Sequence, residues 1–278
     1  MNNLLRTKLR NGLTVMIRES HTAPVASFWI WYRVGSRNEH VGITGASHWV
    51  EHMLFKGTER WPPGKLDQAI SREGGYYNGG TQRDFTIYYE TLPVRKISLA
   101  MDIEADRMSN AIFNDDDVTS ERTVIISERQ GNENAPLFRL VEEVSSAAYR
   151  VHPYGHETIG YLCDLATMTR DDLYHHYQTY YQPNNALIAI AGDFNAGEIE
   201  RVIERYFDDI PEGPEIPEIT AQEPPQRGER RVMVEGAGGT DYLMAAYHVP
   251  EAQHPDFFPL TLLDAILAGG SGFLVGRG

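Results

Sequence analysis

His48 and His52 stand four residues apart in the run His48-Trp49-Val50-Glu51-His52. On a helix that interval is about one turn, so both imidazoles can reach one metal ion from the same face. Glu51, three residues after His48, projects close to that face without having to coordinate. It can instead take a proton from a water whose acidity a cation has raised. The order His-x-x-Glu-His is the inverted zinc-site motif. A chain of this composition would show it by chance with a probability of roughly 0.03, and a solvated helix face carrying two His and a Glu is the plain alternative. A third ligand decides between them, because catalytic zinc takes three protein ligands and leaves one position for water. Glu128 sits on a separate predicted helix, and Glu121 lies seven residues earlier on the same face. One of these carboxylates can bind metal while the other orients a ligand or the water. Taken alone, the acidic pair reads as a solvated stripe.

The elements that must hold these residues follow from pattern. Asn11-Gly12 between apolar runs predicts a hairpin turn, and the Trp- and Tyr-rich stretch 25–34 predicts a strand. Residues 42–55 switch to helical spacing, with Thr44 or Ser47 available near the start and Gly57 as the stop. A short helix over 66–72 ends at Gly74-Gly75, and 84–91 alternates as a strand. Pro93 opens a helix to about 112. Asn114-Asp115-Asp116-Asp117 reads as the capped, acidic start of the next helix rather than as a cation site, and that helix runs to about 130. Further helices are predicted over 137–149, 170–181 and 196–207, with a buried strand over 185–192. The class is α+β. Prolines 211, 214, 217, 224 and 225 mark a linker, giving a first domain over 1–209, a linker over 210–229 and a second unit over 230–278. That unit repeats the opening order: strands at 231–234 and 243–249, then a helix at 257–267.

The chain has 278 residues, with 25 Lys and Arg against 39 Asp and Glu, for a net charge of −14. Such an acidic surface argues against nucleic acid and anionic membranes as partners. Cys163 is the sole cysteine, so no intrachain disulfide forms. No apolar run is long enough to span a bilayer, and the N-terminus lacks the pattern of a secretory signal, so a soluble, cytoplasmic protein is expected.

Several separated motifs, in order, resemble the insulinase or pitrilysin class of zinc peptidases, which includes the mitochondrial processing peptidase subunits. They are Leu9-Arg10-Asn11-Gly12-Leu13-Thr14-Val15, Gly35-Ser36-Arg37-Asn38-Glu39, and the stretch from Gly45 through His48-Trp49-Val50-Glu51-His52 to Gly57-Thr58. Asn78 with Thr81, Asp84-Phe85-Thr86-Ile87-Tyr88-Tyr89, His152-Pro153-Tyr154-Gly155 and Tyr181-Gln182-Pro183-Asn184-Asn185 continue the likeness. The resemblance implies a mixed, mostly antiparallel sheet packed against helices. It implies that His48, His52 and Glu128 bind Zn2+, that Glu51 is the general base, and that Glu121 is the acidic neighbour of the metal site. It also implies that Asn78 and Gly79, on a strand edge, hold an extended peptide substrate through strand pairing.

The resemblance further implies a second homologous half without the metal motif; that half or a partner subunit would supply an Arg and a Tyr that hold substrate. The sequence runs only to Gly278, so the expectation is an incomplete second unit, with no residue assigned to those two roles. Leu260, Leu263, Ile266, Leu267, Phe273 and Leu274 would then lack part of their core, and a homodimer or a homologous partner subunit is expected. The leading function is a zinc-dependent endopeptidase acting on peptides or unfolded, presequence-like segments. The alternative is a non-catalytic or partner-dependent structural subunit, against which the intact motif argues.

The remaining features read plainly. His152 and His156 flank a turn that reads as a packing or surface loop rather than a second metal site. His175-His176 read as solvated, and Cys163 as a small buried hydrophobe. Gly236-Ala237-Gly238-Gly239 and Gly269-Gly270-Ser271-Gly272 lack the Lys-Ser or Lys-Thr ending of a phosphate loop.

Overall fold

Leu4–Lys8 (β1) and Thr14–Glu19 (β2) pair antiparallel across a turn in which Gly12 takes a φ of +89°, a region closed to most side chains. The structure, a computed structural model, describes residues 4–236 and 239–268, the side chain of Ala268 excepted. Val25–Tyr32 (β3), Tyr76–Thr81 (β4), Thr86–Pro93 (β5) and Ala186–Gly192 (β6) complete one six-stranded sheet in the order β1-β2-β6-β3-β5-β4. β2 and β6 run parallel and every other neighbouring pair is antiparallel, so the expected mixed, mostly antiparallel α+β class holds.

Strand alternation directs one face of the sheet inward. Ile17, Phe28, Ile30, Tyr32, Tyr88, Ile188 and Ile190 are all buried, while their neighbours Trp29, Trp31, Ile87 and Tyr89 remain half-buried on the outer face. Eight α-helices follow among the described residues of the first unit: Ala46–Phe55 (α1), Lys65–Arg72 (α2), Ser98–Asn110 (α3), Asp115–Glu133 (α4), Pro136–Ala148 (α5), Leu162–Thr167 (α6), Arg170–Tyr180 (α7) and Ala196–Phe207 (α8); α1, α2, α3 and α8 pack on strands, α4 and α7 on α1, and α5 and α6 on α4. α1 buries Trp49, Val50, Met53 and Leu54 and packs on α7, α4 and β4. Apolar side chains thus anchor the face of α1 opposite its two histidines.

α6 was not expected as an element, and β4 was expected only from the resemblance that sets Asn78 and Gly79 on a strand edge, not from its own residue pattern. The two glycines of Tyr76-Tyr77-Asn78-Gly79-Gly80-Thr81 dilute a strand signal, and only pairing with β5 makes this stretch a strand. Two side chains depart from expectation. Cys163 is exposed, because α6 turns the adjacent Asp164 and Leu165 inward and leaves the cysteine facing out. His176 is buried rather than solvated, as described below.

The chain divides into two compact units, Met1–Gly236 and Ala237–Gly278. No regular element follows α8 within the first unit. The strands expected at 231–234 and 243–249 do not form: neither stretch has a pairing partner among the described residues, and a strand without one leaves its backbone groups to water. In the second unit Phe257–Ala268 (α9) forms where a helix was expected, and Phe258, Leu262 and Leu267 on it are exposed. Ala237, Gly238, Gly269-Gly270-Ser271-Gly272, Phe273 and Leu274 lie outside the described residues. Among the described residues no helix is long and apolar enough to cross a membrane.

Candidate metal centre

α1 begins abruptly, and a carboxylate on the preceding segment holds that beginning. Gly45, at the N-cap, takes a φ of +91°, and the helix has no side-chain cap of its own from Thr44 or Ser47. Instead Glu39, buried, accepts the Gly45 N–H at 2.7 Å on Oε2 and the Ser47 N–H at 2.8 Å on Oε1. A negative charge at a helix N-terminus satisfies free amides and opposes the helix dipole. His156 Nε2 lies 3.1 Å from Glu39 Oε2, which gives the 152–156 turn a packing role. Burial alone would push the Glu39 carboxyl up, but His156, His176 and the Ser47 amide outweigh it and hold it below the ordinary value. His176 Nε2 from α7 lies 3.0 Å from Ser47 Oγ, and burial pushes its pKa down to about 4, so the ring is neutral near pH 7. These contacts fix where α1 starts, and hence where its first histidine points.

One turn on, His48 Nε2 and His52 Nε2 face each other at 3.2 Å. Glu128 Oε2, on α4, lies 3.8 Å from the first and 3.7 Å from the second. Among the described residues His48, His52 and Glu128 form the group of His, Cys and acidic side chains able to hold an ion. Zinc bonds of about 2.0–2.1 Å in tetrahedral geometry put ligand atoms about 3.3 Å apart, so two imidazole nitrogens and a carboxylate oxygen at these separations fit zinc with little movement. Burial, and then the neighbouring His52, push the His48 pKa down to about 4. A neutral imidazole is the form that offers a lone pair to a metal.

The other nitrogen of His52 is also fixed. Its Nδ1 lies 2.9 Å from Glu121 Oε1, and Lys56 Nζ lies 2.5 Å from Glu121 Oε2. A proton held on Nδ1 by the carboxylate leaves Nε2 free to coordinate. Burial alone would raise the Glu121 carboxyl, but Lys56 and His52 outweigh it and hold it below the ordinary value. Seven residues along one helix face thus separate a buried acid that orients His52 from an exposed one, Glu128, that meets both imidazoles.

Glu51 points to the sheet side of the pair. Thr81 Oγ1, at the end of β4, donates to Glu51 Oε2 at 2.6 Å. Burial pushes the Glu51 carboxyl up, and the Thr81 bond opposes the shift. Asn78 and Gly79 lie on β4, which occupies the sheet edge, and Asn78 Oδ1 accepts the Gly79 N–H at 2.9 Å. A Cβ at Gly79 would press on the Phe55 ring at 2.9 Å, so the strand passes as close to α1 as glycine allows. Beneath this contact Arg107 lies over the Tyr88 ring at 4.0 Å and pairs with buried Glu90 and Glu104. Burial, reinforced by Glu104, raises the Glu90 carboxyl well above its ordinary value.

Glu39, His176 and Lys56 were not singled out by reading along the chain as parts of the centre. Glu39 and Lys56 sit within recognisable motifs, which was the available signal; nothing local marked His176.

Comparison with known proteins finds peptidases. Residues 14–161 match the model of Insulinase (Peptidase family M16), and 167–275 match that of the Peptidase M16 inactive domain. The chain is 30% identical over 267 residues to zinc protease PqqE of Helicobacter pylori, covering 94% of this chain and 60% of that protein. It is 30% identical over 219 residues to a probable mitochondrial-processing peptidase subunit beta of Arabidopsis thaliana, covering 78% of this chain and 41% of that one. The chain therefore spans about half the length of such relatives. Among solved structures, a protease from Helicobacter pylori superposes with a TM-score of 0.78 at 29% identity, over 81% of this chain and 55% of that one. The first half of the periplasmic protease PqqL from Escherichia coli gives 0.71 at 28%, over 77% and 48%.

Proposed function

Because the chain belongs to the insulinase family of peptidases, peptidase family M16, we propose that it is a zinc-dependent endopeptidase for extended or unfolded peptide segments. The observation that carries this reading is the convergence of His48 Nε2 and His52 Nε2 from α1 with Glu128 Oε2 from α4, beside a buried Glu51 on α1. Zinc, when bound, supplies a Lewis acid that polarises the peptide carbonyl and acidifies water.

The chain's own residues do the rest. His48, His52 and Glu128 would hold the ion, with Glu121 keeping the His52 proton on Nδ1. Glu51 takes the proton of the attacking water and passes it to the leaving amine; its raised carboxyl brings it closer to the pH at which such a shuttle works. β4 would take the peptide as an added strand, with main-chain hydrogen bonds supplying affinity and Asn78 and Gly79 nearest the centre. A homologous second half or partner subunit would complete the grip on substrate.

The test is a pair of measurements on one preparation. Full zinc occupancy is expected for the parent and for Glu51→Gln, with hydrolysis of a quenched unstructured peptide lost in the latter only. Unchanged zinc content in the double variant His48→Ala, His52→Ala, or parental hydrolysis by Glu51→Gln, would overturn the assignment.

A further inference from the structure

On the outer face of the sheet, away from the metal centre, aromatic rings run from the free edge toward the middle. Tyr76 and Tyr89 lie 5.7 Å apart between centroids, Tyr89 stacks on Trp29 at 4.1 Å, and Trp31 meets Phe85 at 4.8 Å. The register sets Gly80, Ile87 and Trp31 side by side in one row across β4, β5 and β3. At the end of that row lies an open cleft of about 460 Å³, walled by Trp31, Phe85 and Ile87 and bordered by Gly80. Charges at its mouth are engaged elsewhere: Arg83 pairs with Glu157 at 2.7 Å and Asp84 with Arg37 at 2.9 Å. The side walls are therefore apolar, with the exposed Gln82 as a polar group on the rim.

Gly80 is the notch that opens this cleft toward the strand edge. Its φ is not positive, and a Cβ there would meet nothing within 4 Å. Neither backbone geometry nor packing requires glycine at this position, in contrast with Gly79 next to it. A strand added to the free edge of β4 lies about 4.8 Å away and sets one side chain directly opposite Gly80. With no side chain at Gly80, that residue can lean across the β4 backbone onto Ile87 and Trp31, as aromatic side chains do over glycines in neighbouring strands.

We propose that this cleft is a side-chain pocket for a bulky aromatic residue of an extended peptide paired along β4, seated opposite Gly80. The proposal rests on the reading of the chain as a peptidase that takes its substrate by strand addition, and it adds a preference to that reading. It places recognition on the opposite face of the sheet from hydrolysis, so that one strand of substrate is read on both faces.

The experiment measures binding, separately from turnover. Zinc-loaded Glu51→Gln protein is titrated with a labelled unstructured peptide in which Phe replaces Ala at each position in turn, and affinities are read by fluorescence anisotropy. One position should bind about tenfold tighter with Phe than with Ala. That ratio should fall to near one in Gly80→Leu, which fills the notch, and in Trp31→Ala, which removes the wall two strands away. Circular dichroism and zinc content verify that both variants fold. Retention of the ratio in both variants, or no position with a preference, overturns the pocket while leaving strand addition standing. No binding of any peptide overturns the pocket and the strand-addition reading together.

Discussion

Thr81 donates a 2.6 Å hydrogen bond to Oε2 of Glu51, which ties the edge strand of the sheet to the acid at the centre of the helical motif. The bond crosses from β4 to α1, so the element that would take a peptide and the group that would move the proton share a fixed distance. Thr81→Val keeps the shape and removes the donor. It is expected to lower kcat about tenfold with zinc content unchanged, because a carboxylate free to rotate is no longer aimed at the attacking water. Thr81→Ser should restore most of the rate; a Ser variant as slow as the Val one would assign the effect to packing.

Glu121 orients His52 through its Nδ1, and Lys56 holds the far oxygen of Glu121. Removing an orienting carboxylate of this kind costs about 10–100-fold in metal affinity. Glu121→Ala should therefore lose zinc to a competing chelator at correspondingly lower chelator concentrations. Lys56→Met should show a smaller loss in the same direction, and equal resistance of all three proteins would show that the relay contributes nothing to zinc binding.

Arg107 is enclosed between Tyr88, Glu90 and Glu104, with all three charged side chains at 2% exposure or less. Arg107→Ala leaves two buried carboxyls facing each other without their cation. Breaking a buried pair in this way costs about 3–5 kcal/mol. Urea titration should read that loss, and a variant within about 1 kcal/mol of the parent would show that the carboxyls neutralise each other by sharing a proton.

His176, buried against Ser47, has its pKa pushed from 6.5 down to about 4. The folded state therefore resists protonation of a ring that the unfolded chain protonates readily. As pH falls below 6.5 the unfolded state binds the extra proton first, and stability drains away until about pH 4, where the folded ring protonates too. The interval corresponds to a loss on the order of 3 kcal/mol. Glu39, His40 and His175 are the charged or titratable neighbours acting on this ring. His176→Asn should flatten the dependence of stability on pH between 6.5 and 4; a slope as steep as the parent's would assign the acid sensitivity to other groups.

Local spacing made each half of the metal group legible, while the choice of Glu128 over Glu121 as the third ligand rested on the family resemblance. His48, Glu51 and His52 depend only on the helical period, and Glu121 and Glu128 on the same period two turns apart, so no knowledge of the fold was needed to put each set on one face. What residue pattern alone did not show depends on distant pairing. Tyr76–Thr81 becomes a strand because β5 lies beside it, and its Gly-Gly pair speaks against a strand when read alone. Glu39 as the cap of α1 and His176 as its brace need a folded chain, since the Ser47–His176 contact joins residues 129 positions apart. Cys163 and His176 were both misassigned for one reason: which side of a short or charged helix faces inward is decided by the neighbours it packs against.

The position of β6 between β2 and β3 has a consequence for how the protein is born. Thr14 pairs with Leu187 and Tyr32 with Ala186, so the centre of the sheet is an open slot until the chain has been synthesised past Gly192. At ordinary translation speeds that leaves the edges of β2 and β3 that face the slot without a partner for roughly ten to thirty seconds, although β1 and β5 can already pair on their other sides. His48, His52 and Glu128 all emerge within that interval, before the strand that completes the sheet beneath them exists. The nascent chain thus presents metal-binding side chains and two open strand edges together, and pairing of such edges with another chain is the error that competes with completion. Arrival of Ala186–Gly192 closes both edges at once, which makes this one apolar strand the committing step in the assembly of the first unit.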